Sequence, residues 1–381
     1  MGEIHIIMKK LVICFLSLLM AWPLAAQTPL TFTASEDLSY DDNIYLTKDD
    51  TKSSVISTTR VGTNYEANIP GSGLTLSANA LLGYNAYTEK PSTNNYWDAF
   101  AGVQLQNDWM KLGDRFVYTS DPANSELTDR AKRLQNVGYL SMKTSTEKTF
   151  GLGFTAEDIF DRYMQARWSY LNRNRVNLGV QAFYNVSPKT NFFAEYVYSD
   201  ISYRSNKINE STGSSVGLGV NGQLAAKVTG TAKITYDMRD YDHDLAGAKN
   251  YNDLLGYFAE LEWTPTEQNT VRLSGQRRME ETTYGPNRYF ADTVISLYGS
   301  QKIYNKWTAS LTLSWEDMDY AREVAGTKRN DDLWIVRPAV DYQFKDWLSA
   351  GVWYQFRTRR SNEDWAKYDR NQFGVYARAM F

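Results

Sequence analysis

Cysteine is almost missing from this chain of 381 residues, and its one copy, Cys14, lies in the N-terminal apolar run. Disulfide scaffolds and cysteine-ligated zinc are therefore excluded. A lipid-carrying cysteine would stand at the end of such a run behind a small residue, whereas Cys14 follows Ile13 near its start. Histidine is nearly as scarce, with His243 the one copy beyond the N-terminal segment. Proline numbers 9, few enough for a chain made almost wholly of strands. Neither sign of charge dominates: 41 basic against 44 acidic residues leave −3, so no basic face for nucleic acid is expected. Beyond the N-terminus no stretch reaches 18 consecutive apolar residues, which excludes transmembrane helices there.

The one apolar run has a different purpose. Lys9 and Lys10 precede Leu11–Trp22, apolar apart from Ser17, and Pro23-Leu24-Ala25-Ala26 leads into Gln27. A basic start, a core of about a dozen residues and a small-residue end make a secretory signal, too short to span as a helix. Cleavage is expected after Ala26, leaving residues 27–381 as one domain, and Met8 is the better start. A cysteine-free exported protein suits an oxidising compartment.

Aromatic residues are plentiful, at 14% of the chain, and they sit in a pattern that the mean hydropathy of −0.51 conceals. Leu348, Ala350, Val352, Tyr354 and Phe356 alternate with Ser349, Gly351, Gln355 and Arg357, interrupted by Trp353. Trp307, Ala309, Leu311, Leu313 and Trp315 alternate with Thr308, Ser310, Thr312, Ser314 and Glu316. The segments Val176–Tyr184, Ala232–Met238 and Leu255–Trp263 read the same way. Successive side chains of a strand point to opposite faces, so each segment has one oily and one polar face. Runs of about 9–11 residues are what a tilted strand needs to cross a bilayer.

Short polar turns recur about 40 residues apart, near Pro70–Gly73, Asn107-Asp108, Ser145–Glu147, Ser187–Thr190, Ala226-Lys227, Pro265–Glu267, Asn305-Lys306 and Lys345-Asp346. Longer polar segments lie between them, such as Asp41–Ser53, Asp121–Arg130, Asp240–Asn252 and Ala321–Asp331. With terminal strands at Thr31–Tyr40 and Gln372–Phe381 this predicts an all-β fold. It is a transmembrane antiparallel up-and-down β-barrel of 18 strands, with short periplasmic turns and longer extracellular loops. Closure is required because an open edge in lipid would strand backbone amides without partners. At this strand number side chains cannot fill the lumen, so it should hold water. The segments Lys111–Thr119 and Leu134–Lys143 alternate poorly; if they do not span, the count is 16. Trp263, Trp307 and Trp347, with Tyr184 and Phe192, are expected in the girdle at the short-turn side, and Trp315, Tyr87, Tyr198 and Tyr236 in the opposite one. Glu36, Asp114 and Arg277 fall on nominally oily faces.

The last segment, Gln372–Phe381, ends in phenylalanine behind alternating apolar residues and resembles the C-terminal signal of outer-membrane barrels. In that class the barrel-assembly machinery reads this signal, which assigns that role to Phe381. Near the mature start, Ser39-Tyr40-Asp41-Asp42-Asn43-Ile44-Tyr45 resembles the opening signature of the putative β-barrel porin 2 family. That resemblance implies the Gram-negative outer membrane, with its lipid and lipopolysaccharide as surroundings. It leaves open a role near exopolysaccharide export.

Catalytic chemistry finds little to stand on. His243, in Asp240-Tyr241-Asp242-His243-Asp244, has no recognisable serine or aspartate partners at a strand end, so a solvated loop histidine is expected and no enzyme. The alternating Asp240, Asp242 and Asp244 before Gly247 lack the spacing of a calcium loop. No metal or cofactor is expected. Alternation instead places Arg272, Arg278, Arg337, Arg357, Arg359, Arg378, Glu260, Glu262, Glu316 and Asp341 toward the lumen, where fixed charge tunes ion preference or pairs across strands. The Arg-rich C-terminal strands point toward anion tolerance, while the mixed signs set no firm selectivity. Phe183 and Phe193 also alternate inward. The function these features predict is a porin-like channel for passive diffusion of small hydrophilic solutes, narrowed by an infolded loop for which Asp121–Arg130 is the candidate. The alternative is a barrel component of envelope or exopolysaccharide export. Barrels of this size suggest a homo-trimer by analogy.

Overall fold

The computed structural model describes residues 30–381 except 145–148, 247, 286 and 325. The expected leader and its cleavage point, the turn at Ser145–Glu147 and Gly247 lie outside the described residues.

Eighteen antiparallel strands run in chain order. The first nine are β1 Thr31–Asp41, β2 Ser54–Ile69, β3 Leu74–Tyr87, β4 Tyr96–Gln106, β5 Met110–Thr119, β6 Arg133–Lys143, β7 Phe150–Tyr163, β8 Arg173–Ser187 and β9 Thr190–Tyr203. The second nine are β10 Ser211–Ala225, β11 Val228–Tyr241, β12 Tyr251–Thr266, β13 Asn269–Glu281, β14 Tyr289–Ile303, β15 Trp307–Val324, β16 Thr327–Lys345, β17 Leu348–Ser361 and β18 Tyr368–Met380. Each strand pairs with its sequence neighbours, and β1 pairs with β18 from Thr33↔Met380 to Asp41↔Gln372, so the sheet has no edge. The poorly alternating pair, β5 and β6, takes its place in the wall with ten paired residues. The strand count is 18, not 16.

The outward belt is as alternation requires. On β15 it runs from Trp307 to Trp315, and the aromatic ends are doubled across strands: Trp307 against Tyr342 at 4.6 Å and Trp315 against Trp334 at 6.2 Å between ring centres. Trp263 is exposed on β12, and Trp347, in the turn before β17, stacks on Phe381 at 5.9 Å. Two expectations change. Tyr87 pairs with Ile56 on the inner face and is buried, so the girdle position on β3 belongs to Tyr84, packed on Trp97 at 4.7 Å. The segment Ala321–Asp331 is not a loop: β15 and β16, of 18 and 19 residues, continue as a hairpin beyond the belt. Its charged residues read as loop because they are polar. Above the bilayer, however, a strand is free to be polar on its outer face, while Tyr320, Arg329 and Asp331 on the inner face are buried.

The Ser39–Tyr45 signature closes the barrel. Asp41, fully buried, receives both Nε and Nη2 of Arg370 and, at 3.2 Å, Nε2 of Gln372. Asp42 accepts the Asn371 amide at 2.7 Å and its Nδ2 at 2.8 Å. Asn43 donates to the carbonyls of Thr47 (2.7 Å) and Asp369 (2.9 Å). The first strand's end is thereby tied to the last strand by side chains as well as by the ladder.

Glu36 is the misfit, as alternation foresaw. It faces outward midway between Phe32 and Tyr40 and accepts Ser57 Oγ at 2.6 Å and Thr59 Oγ1 at 2.5 Å from the neighbouring strand. Charges on the lipid face cost about 2–4 kcal/mol for Arg or Lys at the midplane and less for acids. Glu36→Leu should therefore raise the urea midpoint of the barrel in lipid vesicles, by about 1 kcal/mol in stability. A lower midpoint would show that the carboxylate's two hydrogen bonds outweigh its desolvation.

Candidate functional site: the lumen and its constriction

All ten charged positions assigned to the lumen by alternation lie on the inner face, and they divide into three kinds. Some are paired: Arg272 Nε donates to Glu262 at 2.6 Å, and Arg278 bridges Glu280 (3.2 Å) and Asp292 (3.6 Å). Some brace protein: Arg359 is fully buried, while Glu316 accepts from a loop and Asp341 from Tyr376. Arg337 and Arg378 form no ion pair among the described residues, Arg357 lies 5.7 Å from the Tyr368 ring, and Glu260 is exposed.

The wall around these arginines has a repeated construction. Trp353 on β17 lies across Gly374 of β18, and its Nε1 reaches Asp37 of β1 at 3.0 Å; Arg337 stacks on its ring at 4.6 Å. Tyr376 on β18 lies across Gly351 of β17, its hydroxyl donates to Asp341 of β16, and Arg378 stacks on it at 4.3 Å. Tyr139 on β6 lies across Gly113 of β5 and donates to Gln104 of β4 at 2.7 Å, with Arg115 at 6.0 Å. A methyl group on Gly351 or Gly374 would stand 2.5 Å from the overlying ring, so only glycine admits these flat rings. Each aromatic thus stands against a guanidinium, a cation–π arrangement that holds the charge in place.

The extracellular half is narrowed by the segment between β5 and β6, the predicted candidate Asp121–Arg130. It starts at one wall, where Tyr96 donates to Asp121 at 2.7 Å and Arg130 lies 4.3 Å from the Tyr87 ring. It ends its inward reach at the far wall. There Arg359 donates to the Ser125 carbonyl at 2.6 Å and Ser125 Oγ donates to Glu316 at 2.7 Å. Buried Glu126 accepts Tyr320 Oη at 3.2 Å, the Thr283 amide at 2.9 Å and the Thr282 hydroxyl. The loop therefore crosses from β5–β6 to β13–β17. Alongside it Leu46, Phe290, Met318, Tyr320, Leu333 and Tyr368 pack as a small core inside the barrel. The lumen is thus packed on that side at its extracellular half. Toward the periplasm it opens into a space of about 930 Å³ lined by polar residues of β4–β13 such as Gln104, Ser141, Glu157 and Gln276.

Parity alone did not single out the partners that seat the loop. Arg329, fully buried, pairs with Asp331 and lies within 5.0 Å of the rings of Tyr284, Tyr320 and Trp365. Glu281 collects Arg173, Arg175 and Arg239, the last two at 2.6 Å, while Asp161 takes Arg133 and Arg173 at 3.2 Å. Arg173 and Arg175 stand two apart on β8 as Arg357 and Arg359 do on β17, which is the signal that marks them. His243 is half exposed, 3.7 Å from Glu210, on the segment above β11.

Solved structures share this architecture. The outer membrane protein OpdK from Pseudomonas aeruginosa superimposes with a TM-score of 0.52 at 10% identity, covering 93% of this chain and 99% of its own. OpdL from the same organism gives 0.50 at 14% over the same shares. OccAB4 from Acinetobacter baumannii gives 0.50 at 12%, again over 93% and 99%. At such identities the likeness is one of fold. No curated protein matches the sequence. The profile of the putative beta-barrel porin 2 family matches residues 33–381. The chain belongs to that family, an outer-membrane β-barrel of the porin kind.

Proposed function

We propose that the chain, cut after Ala26, works as a passive channel through the Gram-negative outer membrane for small hydrophilic solutes, and that it favours anions. The observation that carries the reading is the lumen itself: a polar periplasmic chamber beneath a loop pinned across the barrel. Solutes would enter past the loop, exchange part of their hydration for the wall's polar groups, and leave through the wide end without any chemical step. Lipid and lipopolysaccharide surround the barrel in this reading, and the assembly machinery docks at Phe381, whose backbone pairs with Phe32 at 2.9 Å.

Anion preference follows from which charges are neutralised. Glu281, Asp161, Glu195 and Asp41 are all engaged by cations on other strands. Arg115, Arg337 and Arg378 form no ion pair among the described residues and stand beside aromatic rings, which leave the positive charge intact. In planar bilayers under a KCl gradient, the reversal potential should show chloride favoured. Replacing Arg337 and Arg378 together by Gln should lower the chloride-to-potassium permeability ratio about twofold. A ratio unmoved by the double substitution would remove these residues from selectivity. A protein that inserts and stays ion-tight would overturn the channel reading and favour a purely structural role in export.

A further inference from the structure

Phenylalanine is an unexpected side chain to aim into a water-filled lumen, yet three stand together on the inner face near the periplasmic turns. Phe183 of β8 and Phe193 of β9 are directly paired, with ring centres 6.2 Å apart, and Phe258 of β12 lines the same cleft. The rings are given room by glycine: a methyl on Gly219 would lie 2.5 Å from Phe193 Cζ, and one on Gly153 2.8 Å from Phe183 Cε2. Phe193 is buried beneath, while Phe183 and Phe258 keep part of their faces open. The cleft measures about 320 Å³, toward the lower end of the range for small-molecule sites, about 300–1,000 Å³.

Its polar rim is made largely of amides and hydroxyls, with the exposed Lys143 also in the lining. Gln181, Asn191, Asn221 and Thr231 line it, with Asn221 Nδ2 donating to Thr231 at 2.5 Å. Lys233 and Glu195 also reach it but neutralise each other at 2.5 Å, and Glu195 takes Gln181 Nε2 as well at 3.1 Å. One acceptor stands out: Asn191 Oδ1 is buried and has no hydrogen-bond partner among the described residues. A buried amide oxygen left unpaired costs about 1–3 kcal/mol, which a ligand hydroxyl would recover.

We infer that this cleft binds a neutral saccharide of one or two pyranose rings, which rests on the reading of the barrel as a channel and names a solute class for it. A pyranose has an apolar C–H face that lies flat on a phenyl ring and a rim of hydroxyls that both donate and accept. The cleft offers the matching pair of surfaces. An anion would find Lys233 already paired with Glu195 and would meet Lys143 alone, and a wholly apolar solute would leave the amides and Asn191 without partners.

Equilibrium dialysis of radiolabelled glucose, maltose and cellobiose against the purified full-length barrel in detergent tests this, with sorbitol as the ring-less control. Saturable binding of at least one of the sugars in the millimolar range is expected, with sorbitol showing none. Phe183→Ala should weaken it about tenfold and Asn191→Ala about threefold. Unheated gel mobility confirms that each variant is a folded barrel. Absence of binding for all three sugars, or binding unmoved by Phe183→Ala and Asn191→Ala, overturns the site. Conductance recorded on the same preparation separates the two readings: conduction without sugar binding removes the site and keeps the channel, and binding without conduction does the reverse.

Discussion

Asp41→Ala should unfasten the barrel. Its carboxylate is fully buried, it receives two guanidinium nitrogens of Arg370, and it supports the Asn43 amide at 3.0 Å. Removing it strands Arg370, only 16% exposed at its side chain, without its counter-charge. Breaking one side of a buried pair costs about 3–5 kcal/mol, whereas removing both charges in favour of apolar groups is close to neutral. Asp41→Ala should therefore lose the fast-migrating folded band on unheated gels at a clearly lower temperature than the parent. Asp41→Leu combined with Arg370→Met should recover much of that loss. The contrast matters more than either value. If both variants melted together, the pair would add nothing to the seam, which would rest on the β1–β18 ladder alone. The location explains why the cost is large: a barrel is stable only while its first and last strands stay paired, since the alternative is two open edges in lipid.

Freeing the infolded loop should enlarge the conducting path. Glu126 holds it through Thr282, Thr283 and Tyr320, and Arg359 holds its backbone at Ser125. Glu126→Ala deletes three of these attachments and leaves the Thr283 amide in need of a partner. Deleting Ala123–Thr128 removes the cross-lumen span altogether. Single-channel conductance in 1 M KCl should rise about threefold on deletion, and Glu126→Ala should give noisier currents of intermediate size. Unchanged conductance in the deletion would place the narrowest point elsewhere, with the small core of Phe290, Met318 and Leu333 as the remaining obstruction. Because the loop is seated by side chains from four strands, its removal tests the constriction without touching the wall that crosses the membrane.

Much of the architecture was readable because it rests on a period of two. Whether Leu311 or Thr312 faces lipid depends on its own strand and on water being absent outside the barrel, both local matters. The inner or outer face of all ten charged residues, the outward Glu36 and Asp114, and the eighteen strands follow from that rule and from the turn spacing. The misassignments have the same origin. Tyr87 reads as an outward girdle residue because it is an aromatic near a strand end, whereas its pairing with Ile56 puts it inside. Ala321–Asp331 reads as a loop because polar runs correlate with absence of strand, a correlation that fails once a hairpin rises above the bilayer.

What alternation could not supply is the partner of an inward side chain. Arg359 meets a carbonyl 234 residues away in sequence, Glu126 meets Thr282 at 156, and Asp41 meets Arg370 at 329. Those meetings depend on the barrel's circumference and on where a loop lands after crossing the lumen, and both exist only after closure. The sequence by itself determined that a β-barrel crosses a membrane and which side chains look inward. The tertiary structure decided which of those are spent on one another and which remain for a solute, because charge neutralisation inside a barrel is settled across the bore and not along the strand.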